Sequence, residues 1–182
     1  MDRLTERRMR EALQRLAACH QALASRSGVQ VGDVFTFPDV APCLPLQWVV
    51  IALQPHEAPA SAWVLAVDEH PLWGMVDLRV EATAYSEACV IRGVARVNVP
   101  IGFFAEGCRT GLLDARVCEE AVAKSEALPK EGAWVELEDD ALDHGYTGLP
   151  AYELWLDEVE EATRGLQWAI EAWTRHAAPP GC

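Results

Sequence analysis

The sequence predicts an α+β fold: a small, strongly curved antiparallel β-barrel of five or six strands, flanked by an N-terminal and a C-terminal helix. Three observations lead there. Segments near both ends of the chain repeat apolar residues at helical spacing. Between them, residues 29–100 hold five short apolar runs joined by loops carrying Pro55, Pro59 and Pro71. Nothing of helix length separates these runs, and that argues for antiparallel pairing. The chain has 182 residues, 51% of them hydrophobic and 7 of them Trp. That is enough apolar material for a sizeable core, and it excludes a disordered or low-complexity chain.

The elements follow in order. In residues 1–28, an N-terminal helix is read over Arg3 to Ala24, with Met9, Leu13, Leu16, His20 and Leu23 on one stripe and Ser25, Ser27 and Gly28 as its stop. Its arginines (Arg3, Arg7, Arg8, Arg10) crowd the first turns, where the helix dipole disfavours positive charge, so local stability does not explain them. Residues 29–148 form the barrel domain. Its strands are read at Val29–Phe37, Leu46–Leu53, Ala62–Val67, Gly74–Val80 and Ala88–Val99. The uninterrupted run of Leu46–Leu53 suits a strand buried on both faces. Gly93, near the middle of the last strand, marks a bulge. Within this domain Asp114 caps an inserted helix spanning residues 114–127, and Trp134–Leu137 reads as an edge strand. The C-terminal helix spans residues 149–176, entered through Pro150. Tyr152, Leu156, Val159, Thr163, Leu166, Ile170 and Trp173 form its seam; residues 177–182 are a tail.

Charge narrows the function. The net charge is −13, and residues 119–161 carry fourteen acids against two lysines. Such a surface repels phosphate backbones, so direct nucleic-acid binding is not expected. The first ten residues show no apolar run of signal-peptide type, and no stretch suits a bilayer span, so a cytoplasmic protein without membrane contact is expected. The six cysteines lie in no CxxC motif and read as free thiols.

Motifs of phosphate, dinucleotide, hydrolase and zinc-protease chemistry are absent from the sequence. Two acid–histidine groups remain. Asp68-Glu69-His70 follows a strand, and Asp139-Asp140 with Asp143-His144 precedes the last helix. Neither group has a second histidine nearby in sequence, and adjacent strand residues point to opposite faces, which spoils Asp68-Glu69-His70 as a chelate. The acids read as solvated loop residues or caps, and no metal or cofactor is expected. Cys108, in a segment read as a polar turn, and Cys43, in a loop, are the thiols read as exposed; Arg109 stands beside Cys108, and His70 is the only base to nominate. The positive signal is aromatic. Trp155 and Trp168 lie off the C-terminal seam, so with Trp173 they give that helix more than one apolar side, as either an interface anchor or a wholly internal helix would. Trp48 and Trp63 read as core. The partner-binding residues are therefore read as Trp155, Trp168 and Trp173, with an acidic sector at Glu136, Glu138, Asp139 and Asp140 for a basic-surfaced protein, where it could also mimic a nucleic acid. A homodimer through the last helix is the other arrangement considered.

Two resemblances bear on this reading. Val31-Gly32-Asp33-Val34-Phe35 followed by Trp48-Val49-Val50-Ile51-Ala52-Leu53 resembles the opening of the MazF/PemK family of small SH3-like barrels. That likeness implies an SH3-like barrel and, as the alternative function, a diverged endoribonuclease toxin. The family cuts RNA with an arginine and a hydroxyl residue beside these strands, and residues 38–45 here contain neither. The longer order GDVFTFP, QWVVIAL, VLAVDEHPLWGMVDL, CVIRGVARVNVP and RTGLLDARV is similar to bacterial accessory proteins of sigma-factor and type III-E CRISPR loci. This second likeness implies a regulatory or antiviral-defence accessory that binds a protein and has no chemistry of its own.

Overall fold

A computed structural model describes residue 23 and residues 26–37, 46–70, 72–74, 76–81, 88–126 and 150–177. Its order is β1 (Asp33–Thr36), β2 (Gln47–Gln54), β3 (Ser61–Asp68), β4 (Leu78–Val80), β5 (Cys89–Pro100), a 3-10 helix (Ile101–Glu106), β6 (Cys108–Leu112), α1 (Ala115–Glu126) and α2 (Pro150–Ala177). The strands form one antiparallel sheet in the order β4-β5-β3-β2-β1-β6, curled into a half-barrel. The expected α+β class and curved antiparallel sheet are what the chain forms. The expected N-terminal helix and the edge strand at 134–137 lie outside the described residues, as does the acidic sector of Glu136, Glu138, Asp139 and Asp140.

Period-two alternation builds two cores, one on each face of the sheet. Trp48, Val50, Ala62, Val64, Val97 and Val99 meet Val159, Ala162, Leu166 and Ile170 of α2. Val49, Ile51, Leu65, Val67 and Ile91 meet Cys118 and Ala121 of α1. This explains the unbroken apolar run of β2, whose successive side chains supply both cores. Phe35 of β1 and Phe37 just after it close the α2 side against Phe103 and Phe104 of the 3-10 helix. Asp114 caps α1 as expected, its carboxylate accepting from the Arg116 N–H at 2.8 Å.

Three boundaries differ from the sequence expectation. β1 begins at Asp33, because residues 29–32 form a turn in which Asp33 N–H donates to the Gln30 carbonyl. Only Leu78–Val80 of the expected fourth strand is extended, since Gly74 to Asp77 makes a hydrogen-bonded turn. The segment read as a polar turn at Cys108 is instead β6, paired with β1 along Asp33–Thr36.

Gly93 lies in the expected irregularity, and it has a large effect. Leu65 of β3 pairs with Arg96, but Ala66, the next residue, pairs with Arg92. Residues 93–95 are therefore extra on β5. An odd insertion reverses which face a side chain occupies. Arg96 lies on the α1 side, where it stacks over Trp63 and approaches Glu126 at 3.7 Å. Arg92, four positions earlier, lies on the α2 side.

Candidate functional site

Arg92 is the largest fully buried side chain among the described residues. An unpaired guanidinium could not survive there, because a buried charge without partners costs several kcal/mol or about that order. Its Nε and Nη2 donate to the two carboxylate oxygens of Asp68, both at 2.6 Å. Nη1 donates to the Leu72 carbonyl at 2.7 Å and to Asp77 Oδ2 at 3.0 Å. Nη2 also reaches the His70 carbonyl at 3.4 Å, so all five guanidinium N–H groups have acceptors. Asp77 in turn accepts from the Gly74 and Gly93 N–H groups and from the Tyr152 hydroxyl of α2 at 2.8 Å. Two glycines are needed for this closure: a Cβ at Gly93 would strike the Val76 carbonyl, and one at Gly74 would strike the Tyr152 hydroxyl.

The electrostatics follow the geometry. Burial alone would pull the Arg92 pKa down, but the hydrogen bonds and charges of Asp68 and Asp77 outweigh it and hold the pKa above its ordinary value. Burial, reinforced by the Asp77 charge, raises the Tyr152 hydroxyl well above the ordinary phenol value. Next to this node, His70 stacks on Trp155 with ring centres 4.2 Å apart and planes within 11°. The node thus fastens the first turns of α2 to β3, β5 and the β4 turn. With every donor of the arginine satisfied, it works as a clasp between elements.

A second node sits at the other side of the sheet. Asp33, also fully buried, is flanked by Arg26 and Arg109, and it accepts the Gln30 N–H at 2.9 Å. Arg109 also donates to the carbonyls of Leu23, Arg26 and Gly28 and lies over the Phe35 ring. It ties the chain entering β1 to β6. Its guanidinium lies 3.1 Å from the Asp33 carboxylate. His70 follows β3 while Cys108 opens β6, three positions along the strand order and so roughly 14 Å across the sheet. The sequence-nominated thiol and base are not brought together.

The three tryptophans of α2 occupy different environments. Trp155 is half-buried on His70, and Trp173 is half-buried with its ring edge-on to Phe103. Both also pack against the core on the α2 side. Trp168 points the other way and is 69% exposed. Fourteen residues earlier, nearly four helical turns, Leu154 is 66% exposed. Between them Asp157, Glu158, Glu160 and Glu161 are all exposed. Leu154 was not singled out by the sequence reading, although its position 14 residues before Trp168 puts both within about 40° on a helical wheel. Trp48 is core as expected, whereas Trp63 is half-buried beneath Arg96.

Among the described residues, no three His, Cys, Asp or Glu side chains assemble as a metal-binding group, and no helix is long and apolar enough to cross a membrane. No family model, curated protein or solved structure matches the chain.

Proposed function

We propose that this chain is a non-catalytic cytoplasmic adaptor or regulatory subunit that acts by binding a basic-surfaced protein. The observation that carries the reading is Trp168: a large aromatic side chain held 69% exposed on a helix whose opposite side is fastened into the core. Aromatic residues displayed on a rigid element, with charged residues around them, have the make-up of an interface anchor. The exposed acids at 157, 158, 160 and 161 of the same helix and the net charge of −13 favour encounter with a positive surface. The likeness to accessory proteins of sigma-factor and CRISPR loci gives this reading its broader setting, a subunit of a regulatory or defence assembly.

The test is affinity capture from cells of the source organism, comparing the wild type with Trp168→Ala. The expected result is one protein retained by the wild type, lost with the variant, and released at about 0.5 M salt, where screening shortens charge interactions to a few ångströms. Cleavage of total RNA by the purified chain would instead favour the ribonuclease alternative.

A further inference from the structure

We infer that the outward face of α2 receives a basic amphipathic helix from the partner protein. This deepens the binding reading above and rests on it. The face has two apolar ends, Leu154 and Trp168, about 21 Å apart along the axis. The turns between them are acidic, with Asp157, Glu158, Glu160 and Glu161 exposed and Arg164 the one base within that stretch. A ligand that covers both ends must therefore cross a negative midsection.

Charge decides between the possible occupants. A parallel second copy would lay this acidic stretch on its own counterpart, in a chain that already carries −13. An antiparallel one, with Leu154 on Trp168, would set Glu161 against Glu161 and leave four acids of each copy only the other's Arg164. Like charges brought together at a closing interface disfavour it. A partner segment with Lys or Arg in the middle and apolar residues at each end meets every feature of the face. A helix of about 14 residues spans the distance at the same rise as α2 and presents its apolar residues on one side; an extended strand of that reach would need about six residues and would find no open backbone edge on a helix to pair with.

The experiment uses the full chain and three labelled 18-residue peptides, read by fluorescence anisotropy. One is a Leu/Lys amphipathic helix with leucines toward both ends and lysines between. The second has the same composition with two central prolines, and the third carries Glu in place of Lys. The helical basic peptide is expected to bind at least tenfold more tightly than either of the others. Trp168→Ala, and separately Glu158→Lys with Glu161→Lys, should each weaken it tenfold or more while leaving the thermal midpoint unchanged. Equal binding of the helical and proline-broken peptides overturns the helix, and unchanged binding to Trp168→Ala overturns the face. A concentration-dependent mass in light scattering that Trp168→Ala abolishes overturns the basic partner in favour of a second copy. If the helical peptide fails to bind while the wild type still captures a protein that Trp168→Ala loses, this inference falls and the binding reading stands; if the wild type captures no protein, both fall.

Discussion

The two arginine–aspartate nodes use the same groups under different solvent access. At the Arg92 node, one guanidinium with no exposed surface serves two aspartates, Asp68 and Asp77. At the Asp33 node, one buried carboxylate is shared by two partly exposed arginines, Arg26 and Arg109. The first node has no spare cation within its ion pairs, so removing the arginine strands two carboxylates away from water. The second has a spare, and water reaches its arginines. Burial and redundancy, rather than the number of ion pairs, set what each node contributes.

The largest expected effect comes from breaking the first node. Arg92→Met should cost about 3–5 kcal/mol in urea unfolding, because two buried carboxylates lose their cation. Tyr152→Phe keeps the ring but leaves Asp77 one donor short, and about 1–2 kcal/mol is expected by the same measurement, with faster amide exchange in the first turns of α2. Arg26→Ala should cost about 1 kcal/mol or less, since Arg109 still faces Asp33. If Arg26→Ala proves as costly as Arg92→Met, the contrast between the nodes is wrong.

A smaller effect is set by the thiols. Burial, with Asp68 and Glu69 nearby, raises Cys89 to about 11; burial, with Asp114 and Glu119, does the same for Cys118. The folded chain therefore holds these protons more tightly than the unfolded chain, and the resulting stability is present below the ordinary thiol value near 9 and is lost as pH rises toward 11. A stability profile should fall across that window, and iodoacetamide at pH 8 should label exposed Cys108 well before Cys89 or Cys118. Smallest of all, Trp168→Ala should move stability by no more than about 0.5 kcal/mol, because its side chain supports neither core.

Much of the architecture could be read from residue patterns. The doubly buried β2, the Asp114 cap, the Gly93 irregularity and the α2 seam all leave local signatures: an apolar run, a capping residue, an interrupted strand, a 4-3 spacing. β6 left none, because Cys108-Arg109-Thr110-Gly111 has no apolar alternation; its place comes from Arg109 and from pairing with β1, more than seventy residues earlier. The Arg92 node was illegible for a related reason. Asp68, Asp77, Arg92 and Tyr152 look like scattered polar residues until strand register and the odd insertion in β5 are known. Trp155 and Trp168 both lie off the heptad seam, yet one is packed and the other exposed. That distinction depends on His70, a neighbour from the loop after β3 that helical periodicity does not contain.

The three extra residues at 93–95 give β5 a crossover of chemistry with no crossing of chain. Ile91 before the insertion lies on the α1 side, and Val97 and Val99 after it lie on the α2 side. The parity of the polar positions is exchanged with them, so one continuous ribbon carries two arginines of opposite outlook. Trimming a single residue there would shift the register on one side of the insertion by one, parting either Arg92 from Asp68 and Asp77 or Arg96 from Trp63.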